Sequence, residues 1–96
     1  MKHVIIDGLT IEKMSDVHEK LAKELAFPED YGANLDALFD ELTDISDDVT
    51  ITLREHDALR KKLGIRYATF LKLLRRADSE NPHLHLVDDT SKHLSV

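Results

Sequence analysis

Asp36, Asp40 and Asp44 recur at i, i+4 and i+8, a spacing that sets three carboxylates along one face of a helix. Carboxylates in such a row can attract cations, accept paired hydrogen bonds from guanidinium groups, or exchange protons as an acid–base pair. Within the helix they cost stability: like charges at i, i+4 lose roughly 0.2 to 0.5 kcal/mol per pair, and aspartate is a middling helix former. Asp36, in the first turn after Asn34, gains from the helix dipole, whereas Asp44 near the carbonyl end is opposed by it. Local stability therefore does not account for the row. Two readings are open at this point: a solvated acidic face, the usual origin of a charge run, or a surface kept acidic for a cationic partner, with the repulsion relieved on binding. A paired-carboxylate catalytic site fits poorly, because a helix surface in so short a chain offers no cleft to shift pKa values or exclude water.

The surrounding charge is segregated. Between Lys23 and Arg54 there is no basic residue, while Glu24, Glu29, Asp30, Asp36, Asp40, Glu41, Asp44, Asp47 and Asp48 are all acidic. From Arg54 to Arg76 the balance reverses, with Arg54, Arg60, Lys61, Lys62, Arg66, Lys72, Arg75 and Arg76 opposed only by Glu55 and Asp57. The net charge is −6, so cationic partners are expected, and segregation of this kind acts on association rate and partner choice more than on fold. Nucleic acid binding is not expected of Lys72, Arg75 and Arg76, since no aromatic interleaving or reader motif accompanies them. His3, His83 and His85 invite a metal reading, but strand alternation puts them on a solvent face with no third ligand evident, so no metal and no cofactor is expected. There is no cysteine, which suits a reducing compartment and excludes a thiol nucleophile or thiolate zinc site.

The elements that must carry these residues are legible from periodicity. Ninety-six residues suit one core. His3 to Asp7 reads as a strand ended by Gly8, and Ser15 as the N-cap of a helix running to about Ala26, with Val17, Leu21 and Leu25 on one stripe. Residues 27–33 read as a loop. Asn34 then caps a second helix carrying Leu35, Leu38, Phe39 and Leu42. Val49 to Leu53 alternates strictly, as a strand covered on one face does. A short helix from about Glu55 to Leu63 stops at Gly64, and another from about Arg66 to Ser79 places Tyr67, Phe70, Leu71 and Leu74 at helical spacing, the first two and Leu74 as core. His83 to Val87 is a third strand. Strands separated by helices predict an α/β fold in two layers, a three-stranded parallel sheet with four helices, the strand order left open. The domain is expected over 1–89, with 90–96 a frayed C-terminal tail.

Ser15-Asp16, His18, Leu21, Lys23-Glu24-Leu25-Ala26, Pro28-Glu29, Tyr31-Gly32, Asn34-Leu35-Asp36-Ala37-Leu38, Asp40 and Leu42-Thr43 together resemble the barstar family of intracellular ribonuclease inhibitors. The match is dense over about thirty residues, and beyond them the order of elements is similar to the barstar fold. The resemblance implies an inhibitor rather than an enzyme: the second helix and the loop before it plug a nuclease active site, Asp40 taking the phosphate pocket and Asp36 a neighbouring arginine. A carboxylate can replace phosphate there because it accepts a bidentate guanidinium in the same way. Asn34, Leu35, Gly32 and Tyr31 would touch the partner as well, and Phe39 is divided between core and contact. The periphery differs from the family pattern. Asp30 stands at a tyrosine position, Phe39 and Ile45 at tryptophans, Asp44 at a glycine and Arg76 at a contacting glutamate, which implies a partner surface unlike that of barnase itself.

The expected partner is accordingly a basic, barnase-like ribonuclease of extracellular type, bound as a 1:1 complex by a monomer acting as an immunity or antitoxin protein. The alternative is an interaction module that keeps this fold and binds a different basic protein. No apolar run approaches the roughly 18 residues of a membrane span, and Val4-Ile5-Ile6 is too short for a secretory core, so a cytoplasmic location is expected.

Overall fold

The computed structural model describes residues 2–88; positions 90–96, expected to form a tail, lie outside them. The chain runs β1 (Lys2–Asp7), α1 (Met14–Glu24), α2 (Leu35–Thr43), β2 (Val49–Arg54), α3 (His56–Leu63), α4 (Ile65–Glu80) and β3 (Leu84–Asp88). The three strands form one parallel sheet in the order β1-β2-β3, with Val4 opposite Ile51 and Ile51 opposite Leu86. The α/β architecture of three parallel strands and four helices agrees with the sequence-based expectation.

Alternation decides which sheet face is covered. Val4, Ile6, Val49, Ile51, Leu53 and Leu84 are buried, whereas His3 and His85, in register across Thr50, are exposed. The helical stripes close over the buried face with Val17 and Leu21 from α1, Leu38 and Leu42 from α2, Leu59 from α3, and Tyr67, Phe70 and Leu74 from α4. Phe70 is the largest of the fully buried side chains; a Phe→Ala truncation at such a site costs about 3 to 5 kcal/mol. On the open face, His3 Nε2 lies 2.7 Å from Thr52 Oγ1, and among the described residues no group of three or more His, Asp or Glu side chains is placed to hold a metal. No helix among them is long and apolar enough to cross a membrane.

Both ends of α1 depart from expectation, each for a physical reason, while α4 (Ile65–Glu80) and β3 (Leu84–Asp88) differ from it by one residue at each end. Ser15 does not cap α1: the helix begins at Met14 with Lys13 at the N-cap position. Asp16, three residues into the helix, reaches back, and its Oδ2 accepts from the backbone N–H of Glu12 at 3.0 Å and of Lys13 at 3.3 Å. A carboxylate in the first turn thus takes up the backbone N–H groups of the two residues before the helix, the half of a capping box that is made from inside it, with the helix dipole in its favour. At the other end α1 stops at Glu24, two residues short of Ala26, because Ala26 turns left-handed (φ 54°). The Phe27 N–H then donates to the Ala22 carbonyl at 2.9 Å, a Schellman closure built on alanine where glycine is usual.

Candidate functional site

Asn34 is the N-cap of α2, and its Oδ1 accepts from the Ala37 N–H at 2.8 Å. That bond orients the first turn and with it Asp36. Leu38 and Leu42 bury one side of α2 completely, so Asp36 and Asp40 are turned outward and both are exposed. Asp44 is the C-cap and is also exposed. Among the described residues, no ion pair or hydrogen bond engages the carboxylate of Asp30, Asp36, Asp40 or Asp44. Their carboxylate oxygens are free to accept hydrogen bonds from another molecule.

The far end of α2 is fastened by Asn81, a 4% exposed residue at the C-cap of α4. Its Nδ2 donates to the carbonyls of Leu42 and Ile45, each at 2.9 Å, and its Oδ1 accepts from the His83 N–H at 2.9 Å. Nothing in the local sequence pattern signals that the Asn81 amide reaches back across the fold.

The loop before α2 is anchored inward. Tyr31 is half-buried, packed edge-on to Phe27 with ring centroids 4.9 Å apart, and its hydroxyl lies 2.6 Å from His18 Nδ1. Burial lowers the pKa of His18. The Tyr31 phenol is pushed up to about 12 by burial and then by the charge of Glu41. Neutral imidazole and protonated phenol are therefore the resting forms, and one proton is shared between the hydroxyl and Nδ1 in a hydrogen bond of 2.6 Å. Asp30 and Gly32 are exposed beside it. A Cβ on Gly32 would stand 3.0 Å from Asn34 Nδ2, so glycine here leaves the capping amide undisturbed. Ala33 takes a left-handed conformation (φ 51°) immediately before the cap.

Tertiary packing divides the acidic row. Asp36 and Asp40 line a groove of about 380 Å³ between α2 and α4, with Phe39 and Leu73 between the walls and Lys72 and Arg76 opposite. Asp44 instead lines a separate hollow with Leu25, Phe27, Glu41 and Ile45. Phe39 serves two purposes: it packs against the core and carries the Arg76 guanidinium 5.0 Å above its ring centroid, a cation–π arrangement worth about 0.5 to 1 kcal/mol at an exposed site. Arg76 Nε also pairs with Glu80 at 3.0 Å. Leu35 is half-buried near Asn34, in a third hollow that Arg66 and His18 also line. Thr69, Lys72, Leu73 and Arg76 stand at i, i+3, i+4 and i+7, a row visible in the sequence, but only the packing of α4 on α2 sets it beside the aspartates.

Residues 1–89 match the sequence pattern of the family described as "Barstar (barnase inhibitor)". A Bacillus subtilis (strain 168) protein named "Putative ribonuclease inhibitor YrdF" is 36% identical over 81 residues, covering 83% of this chain and 89% of that protein. A match over every described residue, joined to a three-stranded parallel sheet with four helices, shows that the chain belongs to the barstar family.

Proposed function

We propose that this chain inhibits a basic ribonuclease stoichiometrically, inserting α2 and the loop before it into the nuclease's phosphate-binding site. Asp40 enters the phosphate pocket and Asp36 meets an adjacent arginine. Asp30, Tyr31, Gly32, Asn34, Leu35, Phe39, Asp44 and Arg76 form the surrounding contact. Inhibition proceeds by occlusion, one monomer per nuclease, without turnover, metal or cofactor. It protects the cytoplasm of the producing cell from an enzyme of extracellular type. The observation that carries this reading is a pair of exposed carboxylates with no internal partner, on a helix held at one end by Asn34 and at the other by Asn81. Acceptors oriented in advance lose little conformational entropy on binding, and their charge steers a cationic partner.

Barnase activity titrated with the purified chain is the direct test. Full inhibition at one equivalent is expected. Asp40→Ala should raise the dissociation rate far more than Glu29→Ala, because removing one member of a desolvated ion pair costs about 3 to 5 kcal/mol, or roughly two to four decades in affinity. Added salt should slow association. Equal losses from the two substitutions would refute the central role of Asp40. A fully active nuclease, with capture of some other basic protein by the same chain, would replace ribonuclease inhibition with a different immunity function.

A further inference from the structure

Resting on the ribonuclease-inhibitor reading, we infer that the groove between α2 and α4 is a two-signed recognition surface: its aspartate wall takes a basic side chain of the nuclease, and its Lys72–Arg76 wall takes a neighbouring carboxylate. Inhibition of phosphate-site chemistry requires only the acidic wall. The cationic wall is then a specificity element that favours nucleases carrying an aspartate or glutamate at the rim and rejects those whose rim is wholly basic.

Three observations support it. Asp36 and Asp40 line one side of the groove, and Lys72 and Arg76 the other, over an apolar floor of Phe39 and Leu73. Despite this proximity, no ion pair joins the two walls among the described residues; the one pair that Arg76 forms is with Glu80, at 3.0 Å and outside the groove. Stacking on Phe39 further holds the Arg76 guanidinium in place. A partner with one sign of charge would satisfy one wall and be repelled by the other, whereas adjacent opposite charges complement both. Like-charge juxtaposition in an interface is a strong selector against wrong partners.

Barnase is a suitable basic probe. Its binding kinetics should be measured against the wild type, Lys72→Glu/Arg76→Glu, the milder Lys72→Gln/Arg76→Gln, and Arg60→Glu/Lys61→Glu, which makes the same charge change on α3. Thermal unfolding of each variant checks folding. The groove reversal should slow barnase dissociation about tenfold or more and the glutamine pair by a smaller factor in the same direction. The α3 control should alter association alone, by a few-fold at most. Unchanged or faster dissociation in both groove variants, with wild-type inhibition intact, overturns the two-signed groove and leaves the inhibitor reading standing. Absence of binding by the wild type and by every groove variant overturns the inhibitor reading, and the inference falls with it.

Discussion

Asn81→Ala should cost the protein about 3 kcal/mol of stability, out of proportion to its place at the end of a helix. The side chain makes three hydrogen bonds of 2.9 Å, to Leu42 O, Ile45 O and His83 N, and each contributes roughly 0.5 to 1.5 kcal/mol net. The bond to Leu42 is buried and the other two partly so, so truncation strands the Leu42 carbonyl without water while solvent can reach the remaining groups. Helix propensity offers no offset, because Asn81 has extended backbone (φ −121°) rather than helical. For a domain of this size the loss corresponds to a fall in Tm of about 12 to 24 °C, or about 1 to 3 M in urea midpoint. Asn81→Asp separates donor from acceptor. It keeps an oxygen for the His83 N–H but points a carboxylate oxygen at two carbonyls, so near neutral pH it should be at least as damaging as alanine. Equilibrium urea unfolding of the three proteins is the assay. An alanine loss below about 1 kcal/mol, or an aspartate variant close to wild type, would refute the view that this amide fastens the C-terminal end of α2.

Other expectations concern pH, glycine and backbone strain. Burial lowers the His18 pKa in the folded state, so the unfolded chain takes up the proton first. The corresponding stability is complete above the unfolded value near 6.5 and is lost as pH falls from there through the folded value. Urea midpoints at about pH 5 and about pH 8 should therefore differ more for the wild type than for His18→Gln, and an equal difference would remove His18 from the account. Gly8→Ala should destabilise by more than about 3 kcal/mol, since the added Cβ meets the Glu55 carbonyl oxygen and lies 2.8 Å from the Leu59 backbone nitrogen, neither of which can yield easily; a midpoint near wild type would contradict that crowding. Ala26→Gly should stabilise by about 0.5 to 1 kcal/mol by relieving a left-handed alanine at the end of α1, net of the entropy that glycine adds to the unfolded chain. Differential scanning calorimetry would read this as a higher Tm.

The sequence by itself determined the local elements, because their signals are short-range. Strict alternation in Val49 to Leu53 marks a strand covered on one face, and its buried residues are Val49, Ile51 and Leu53. Asn34 before Leu35 marks a helix start, and it caps α2 through its side chain. Asp36 and Asp40, at i and i+4, share a face of α2 wherever that helix lies, whereas Asp44, at i+8, falls on the C-cap just beyond its last turn. What the sequence left open depends on groups that meet only after folding. The order β1-β2-β3 is a matter of strand pairing, and nothing in a strand's own alternation names its neighbours. The His18–Tyr31 bond spans 13 residues, and the Asn81 bonds to α2 and the turn after it span 39 and 36. None leaves a periodic trace. The division of the acidic row likewise required α4 to pack beside α2, bringing Lys72 and Arg76 to Asp36 and Asp40 and leaving Asp44 in another hollow. Periodicity says which side of a helix is buried; only the tertiary contacts decide what the other side faces, because side-chain packing between distant segments, rather than backbone preference, sets how the helices are placed.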